Sequence, residues 1–438
     1  AVLAALSLGC SPPFAVWSTG GLETMAFALA LFATFERLVL RRAGVDPVGG
    51  ALAALALALL RVEGIAWAVA IALLAAFTRA FSAQPAMRPL RRFALLLFGS
   101  YALYFAWRWS YYGLPLPNTV YAKSGFGAAL LARGASYLAV YLLTFVPVAP
   151  LCGLVTVPDR RWCAAGPAVA AMVLGAAAFA VLVGGDFMAM ARFLVPGLAF
   201  ETLLFGMLLQ RISEAAPARR AAPALVAALQ IAVSALPAFD LHAVPASLRD
   251  RFHFRLNSGQ PRSEYAQWQF MNENSREWKA KGLALRAIAA PGDSVVAGAI
   301  GNVGYFSDLT VFDRVGLVDR EVASLPLDPE QLHSPGHDRL VEPVFFLRRH
   351  PTFLDAQLLV GEALAPEVLD AQVKRWLATR AASGYAPDFR LSLEGEVAPA
   401  LLLVWRAVAP GQDAGERWEQ FFARARAIDW AGLRAARR

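Results

Sequence analysis

A break in composition near residue 240 constrains this chain more than any other feature of its sequence. Before the break, Ala/Leu/Val/Phe runs follow one another, separated by short patches that carry arginine. After it, Asp, Glu, Arg, His, Asn and Gln occur throughout, as in a soluble domain. Overall, 58% of residues are hydrophobic and 17% charged, against about 45–50% and about 25% in soluble globular chains. This predicts an α-helical polytopic membrane region over residues 1–240, followed by a small soluble α/β domain over 241–438.

A membrane helix needs about 20 apolar residues. Runs near that length are 22–40, 51–78, 93–112, 134–157, 164–184, 193–211 and 221–239. The second is too long for one span and carries "RVEG" (Arg61–Gly64) in its middle. It predicts two short helices, 51–61 and 64–79, meeting at a polar turn; irregular backbone at that depth survives only where protein or a watery cavity satisfies it. Ala1–Leu8 reads as the end of a further span, and "SPPFAVWSTGG" as a loop returning into 22–40. The chain opens with Ala1 inside an apolar stretch that lacks the basic flank of a signal peptide. It therefore reads as a fragment whose N-terminal segment is missing.

The arginines set an orientation. Arg37, Arg41 and Arg42, then Arg79, Arg88, Arg91 and Arg92, then Arg160 and Arg161, then Arg211, Arg219 and Arg220 fall in alternate loops. If those loops are cytoplasmic, the positive-inside rule is obeyed at each crossing. "WSTGGLET", "RVEG", "LPLPNTVYAK", "GGDFMAMAR" and the soluble domain then share the opposite, extracytoplasmic side. The expected location is a bacterial inner membrane, crossed several times.

A net charge of +8 with a pI near 9.7 raises the question of nucleic acid. The arginines are accounted for by loop topology, and no RNP-like or zinc-finger spacing occurs, so nucleic acid is not an expected partner. Cys10, Cys152 and Cys163 all lie in the apolar half, which leaves the soluble domain without a disulfide framework. No metal-ligand spacing is present, and no cofactor is implied with certainty; a divalent cation is left open.

In the soluble domain, "EYAQWQFMNENSREWKAKGLALRAIA" has helical spacing and "PGDSVVAGA" reads as a turn and a buried strand. "GNVGYFSDLTVFDRVGL" predicts a Gly-rich turn and two short β-rich stretches, "TFLDAQLLV" and "LLLVWRAV" two strands, and "PEVLDAQVKRWLATRAA" a helix between them. "GAIGNVG" departs from a dinucleotide-binding loop, lacking both the GxGxxG opening and a clearly placed acidic residue downstream, and reads as a tight turn.

The polar motifs carry the chemistry. Glu23 either caps the following helix, with Ser18 and Thr19, or faces a substrate. Arg61 and Glu63 either pair at an interfacial turn or line a cavity; ionisable groups inside apolar runs favour the latter. Asn118, Tyr121 and Lys123 follow two prolines in a loop near Trp109, Tyr111 and Tyr112, company that suits a sugar or a lipid headgroup. Asp186 and Arg192, six residues apart, are read as too close for a remote structural ion pair. Arg192, an always-charged fork of donors, suits a phosphate, the alternative being a topological anchor. His333 and His337 cannot share a helix face across Pro335 and Gly336. Their loop is expected to fold onto the membrane site rather than to bind zinc.

"WSTGGLET", "RVEG", "YYGLPLPNTVYAK", "GGDFMAMARFLVP" and "VFDRVGLVDREVAS" with "HSPGHDRL" occur in the order seen in GT-C type membrane glycosyltransferases. The chain resembles most the mycobacterial terminal β-(1→2) arabinofuranosyltransferase and its wider bacterial relatives, over most of residues 11 to 340. The resemblance implies a multispanning fold with a soluble extracytoplasmic domain. It also implies inverting transfer of a sugar, such as a pentofuranose, from a polyprenyl-phosphate donor to a cell-envelope glycan or lipid-linked acceptor among membrane lipids. It makes Arg192 a donor-phosphate ligand, with Arg61 or Lys123 assisting, and Asp186, Glu23 and His337 site residues. Family members carry an acidic general base in the first extracytoplasmic loop, which this chain is expected to lack. A transporter or flippase of a lipid-linked precursor would use similar intramembrane charges, though no inverted repeat is visible; a scaffold whose soluble domain is the working part is the third reading.

Overall fold

The structure is a computed structural model. It describes residues 1–41, 43–80, 87–123, 125, 127–157, 165–215, 219, 221–256, 261–328, 332–360, 367, 370–372, 374–375 and 384–435. The expected helix over 366–382 lies largely outside the described residues. Internal contacts divide the chain into two compact units. One comprises Ala1–Val120, Ser124–Trp268 and Asp328–Pro335; the other comprises Tyr121–Lys123, Gln269–Leu327 and Gly336–Arg438.

The first unit is helical: α1 (Val2–Gly9), α2 (Pro12–Thr19), α3 (Thr24–Phe35), α4 (Pro47–Leu60), α5 (Gly64–Ala80), α6 (Met87–Tyr112), α7 (Asn118–Lys123, whose last turn belongs to the second unit), α8 (Ala128–Phe145), α9 (Val148–Cys152), α10 (Gly166–Leu182), α11 (Val195–Ala215) and α12 (Ala222–Ala235). Three helical segments are long and apolar enough to cross a membrane: Ala128–Phe145, Arg192–Ala215 and Ala222–Phe239. The α1–α2 pair, bent by 62°, makes a fourth if taken as one broken span. α4, α5 and α10 are apolar but shorter. Phe27, Leu31, Phe35, Leu57, Ile71, Phe93, Met172 and Phe200 are buried together in one core shared by α3, α4, α5, α6, α10 and α11. Among helices surrounded by lipid, such contact is set by shape more than by expulsion of water.

Several expected spans are corrected. "SPPFAVWSTGG" is largely helix α2, with prolines at its first positions, where the missing N–H costs nothing. The run 22–40 is α3 continued by a π-helical turn, Glu36–Leu40. Its terminal carbonyls are capped by the Arg79 side chain, which donates to the Leu38, Val39 and Arg41 carbonyls at 3.0–3.4 Å. The run 93–112 begins six residues earlier, at Met87, and is not among the long apolar helices. Arg88, Arg91 and Arg92 at one end and Arg108 among tyrosines and tryptophans at the other dilute its apolar content. The expected span 134–157 starts at Ala128 and stops at Phe145. Val146 is left-handed (φ 46°) and Pro147 follows. The broken backbone is satisfied by buried Gln230 of α12, which accepts from Ala149 N and donates to Val146 O, each at 3.1 Å. A buried glutamine here does what the membrane interior requires of any interrupted helix.

α8 and α10 approach closely because Gly134 has no side chain. A Cβ there would stand 2.1 Å from the Val181 carbonyl oxygen. Gly134→Ala is therefore expected to overpack the α8–α10 contact and lower stability by about 1–3 kcal/mol, read as an earlier thermal unfolding transition in detergent. A wild-type midpoint would refute the close approach.

The second unit holds a five-stranded sheet of order β2-β1-β3-β5-β4, made of β1 (Ser294–Ala297), β2 (Thr310–Asp313), β3 (Phe353–Val360), β4 (Tyr385–Ser392) and β5 (Ala400–Ala407). β1 is parallel to β2 and to β3, whereas β5 is antiparallel to β3 and β4. One face packs Leu354, Leu401, Leu403, Trp405 and Phe346 under a helix over Ala414–Arg426; the other packs Val295, Phe353, Leu402 and Val404. The helix over Glu264–Arg286 and strands β1, β3 and β5 lie where the periodicity puts them. The stretch read as a Gly-rich turn is instead a short helix, Ile300–Ser307. Its Gly304 lets the helix lie against β2, since a Cβ there would come 3.3 Å from Val311. β4, "YAPDFRLS", escapes sequence reading because Pro387 and its charges look unlike a strand, yet they are tolerated at the sheet edge.

Candidate functional site

The stretch between α10 and α11 is an irregular loop with four left-handed residues: Gly184 (φ 74°), Gly185 (φ 80°), Met190 (φ 56°) and Ala191 (φ 47°). At Gly185 a Cβ would come 2.8 Å from the Tyr137 side chain. Met190 and Ala191 have no such excuse, and a non-glycine residue held there costs about 1 kcal/mol or more. Strain persists only where the surroundings impose it, and here they are specific. Arg255 donates through Nε to Phe187 O (2.8 Å) and through Nη2 to Met188 O (3.1 Å). Gln267 also donates to Phe187 O at 3.2 Å, the Trp17 indole to Ala189 O at 3.2 Å, and Arg133 Nε to Gly184 O at 3.1 Å. The Met190 amide donates to the Glu264 carboxylate, which also pairs with Arg255 at 2.8 Å. Tyr137 Oη accepts from the Phe193 amide at 3.1 Å.

The loop so held turns Asp186 towards Arg192. Arg192 Nε donates to Asp186 Oδ2 at 2.5 Å, with both side chains buried. The pair is local rather than a bridge between remote segments, because the left-handed residues fold the six-residue segment back on itself. One edge of the guanidinium is spent on Asp186. Among the described residues, Nη1 and Nη2 find no protein hydrogen-bond acceptor. The guanidinium plane is flanked by aromatic rings, with its carbon 5.7 Å from the Trp17 ring centroid and 5.1 Å from that of Phe193.

Phe193 links this pair to a second cluster. The Arg61 guanidinium lies 5.0 Å from the Phe193 ring centroid and 5.2 Å from that of Phe27. Its Nε pairs with Glu63 at 2.8 Å and more loosely with Glu23 at 3.6 Å. Glu23 occupies the N-cap position of α3 without a side-chain capping bond, so the capping reading of Glu23 is corrected: its carboxylate turns to Arg61 instead. Arg61 and Glu63 do pair, at the turn between α4 and α5. Three carboxylates (Glu23, Glu63, Asp186) and two arginines thus gather around Phe193, and Arg133 brings a third guanidinium to the same loop.

Of the other sequence candidates, Asn118 opens α7 in the first unit. Tyr121, Lys123 and His337 belong to the second, where Lys123 runs alongside Gly336, whose absent Cβ would meet the lysine Cε at 3.1 Å. In that neighbourhood Arg339 donates to the Ala122 carbonyl at 2.6 Å. Among the described residues no three His, Cys, Asp or Glu side chains converge as a metal-binding group.

Sequence reasoning missed the braces of the loop (Trp17, Tyr137, Arg255, Glu264 and Gln267) because they come from distant segments. It also missed Glu201, a buried carboxylate on α11 that accepts from Tyr141 Oη of α8 at 2.8 Å. An acid within an apolar run was the available signal. In the second unit, Asp313 spends both carboxylate oxygens on the amides of Val315 and Val318 at 2.9 and 2.8 Å. It shapes the loop after β2.

Comparison with known proteins reaches only the second half of the chain. The family model for a domain of unknown function, DUF8728, matches residues 263–392, from just before the helix over Glu264–Arg286 to the last residue of β4. No curated protein and no solved structure matches the chain.

Proposed function

We propose that the chain is an inverting membrane glycosyltransferase of GT-C type. It moves a sugar from a polyprenyl-phosphate donor to a cell-envelope glycan at the extracytoplasmic face of the bacterial cytoplasmic membrane. The observation that carries this reading is Arg192: a buried guanidinium, oriented by Asp186 and two aromatic rings, with both Nη groups unspent. A fork of donors in a site shielded from water is what a departing phosphate needs, because stabilisation of developing charge is strongest where the dielectric is low. In this reading an acceptor hydroxyl oxygen attacks the anomeric carbon as the bond from that carbon to the phosphate oxygen breaks. The polyprenyl phosphate leaves against Arg192 and Arg61, and the hydroxyl proton passes to a carboxylate. Within this chain Glu23 suits that last role better than Asp186, since its side chain is 34% exposed against 4% and its partner Arg61 is the looser one.

The rival, a transporter of a lipid-linked precursor, draws on the buried Glu201–Tyr141 pair between two membrane helices, a setting in which carboxyls often carry protons. One assay separates the two. The purified full-length protein, in lipid, is offered a panel of polyprenyl-phosphate sugars with and without EDTA, and free polyprenyl phosphate is measured. Sugar-dependent release supports transfer. Movement of intact labelled donor between leaflets without release would overturn it in favour of transport.

A further inference from the structure

A second cleft lies on the other side of Arg61. It is bounded by the end of α4 and the turn after it (Ala58–Val62), one face of α6 and Pro115 and Pro117, and has a volume of about 140 Å³. That is below the roughly 300–1,000 Å³ of sites that enclose a drug-sized ligand, so it admits one small ring.

Its walls are chemically uniform. Tyr101 and Tyr104 face it with ring centroids 5.8 Å apart, and Phe105 continues the aromatic surface. Among the described residues neither tyrosine hydroxyl has a hydrogen-bond partner. Arg108 is buried and held in place through Nη1, which donates to the carbonyls of Leu114 (3.1 Å) and Pro115 (2.9 Å), with its guanidinium 5.6 Å from the Tyr112 ring centroid. Its Nε and Nη2 have no protein acceptor among the described residues. Flat aromatic faces beside unspent hydroxyls and a fixed, half-used guanidinium suit the alternating C–H and O–H faces of a neutral sugar. Arg61 lines this cleft and also the cavity that holds Glu63, Phe27 and Phe193, so whatever binds here sits one side chain away from the charged cluster.

We propose that this cleft binds one neutral sugar ring of the acceptor; its assignment to the acceptor rests on the glycosyltransferase reading above. Two sources share the chemistry, a soluble glycan and a glycolipid headgroup. The test uses the full-length protein in lipid nanodiscs and two photoreactive probes. One is a diazirine-bearing arabinofuranosyl trisaccharide; the other carries the same sugar on diacylglycerol. Cross-linked peptides are then mapped by mass spectrometry.

Labelling is expected within Tyr101–Pro117, falling five- to tenfold or more in Y101F/Y104F, which keeps both rings and deletes only the hydroxyls, and falling severalfold in R108K, which keeps the charge but loses the fork of donors. Labelling by the trisaccharide alone identifies a soluble glycan, and by the lipid form alone a headgroup; either supports the cleft. Labelling that maps elsewhere, that is absent with both probes, or that persists at wild-type level in Y101F/Y104F overturns the proposal. Cross-linking requires no turnover. Labelling without polyprenyl phosphate release from any donor would sink the transferase reading and keep the sugar site, and release without labelling would do the reverse.

Discussion

Arg192→Ala is expected to abolish most donor use and to destabilise the membrane unit at the same time. The pair it breaks is buried on both sides, 9% and 4% exposed. Removing one partner of such a pair leaves an uncompensated charge, a cost of about 3–5 kcal/mol. If Arg192 holds the donor phosphate as proposed, loss of its two charge-assisted hydrogen bonds, worth about 1.5–3 kcal/mol each, adds an expected fall of about a hundredfold or more in catalytic efficiency. Three variants separate the effects. Arg192→Lys keeps the charge but not the fork, so it should retain fold and lose donor affinity. Asp186→Asn should lower activity less than Arg192→Ala if the carboxylate only orients the arginine. D186N/R192Q removes both charges together and should recover much of the stability while staying inactive. Unfolding midpoints and polyprenyl phosphate release are measured on the same preparations. A stable, fully active double variant would reduce the pair to a structural contact.

The second large effect concerns the brace behind the loop. Glu264 is 3% exposed, pairs with Arg255 at 2.8 Å and accepts from the Met190 amide. Glu264→Ala leaves Arg255 buried without its counter-charge and the left-handed Met190 without its anchor. A loss of about 3–5 kcal/mol is expected, seen as an earlier cooperative unfolding transition. Glu264→Gln can still accept from Met190 and should lose less. Because Glu264 acts through the loop that carries Arg192, residual activity in Glu264→Gln should show both a lower turnover number and a weaker apparent affinity for donor. A wild-type melting curve for the alanine variant would mean that the loop keeps its shape without the brace.

Much of this could be read from order and spacing alone. The apolar runs ending near residue 240, the paired short helices around "RVEG" and the helix and three of the strands after residue 263 follow from composition and period, because burial acts on each segment independently of its neighbours. The same logic picked out Glu23, Arg61, Glu63, Asp186 and Arg192, since charge inside apolar sequence is costly wherever it lies. What spacing could not supply was who meets whom. The Asp186–Arg192 pair depends on four positive φ angles that a count of intervening residues does not encode. The stop of α8 at Phe145 depends on Gln230, some eighty residues on, to satisfy the backbone that Pro147 interrupts. The helix over Ile300–Ser307 prevails over its glycines because β2 lies against it. Nothing in the spacing of Trp17, Arg255, Glu264 and Gln267 marks them out, and only their convergence on one loop makes them a support. Segment identity was thus a property of local pattern. Site geometry was a property of contacts between distant segments, each of which satisfies a polar group that its own neighbours leave unsatisfied.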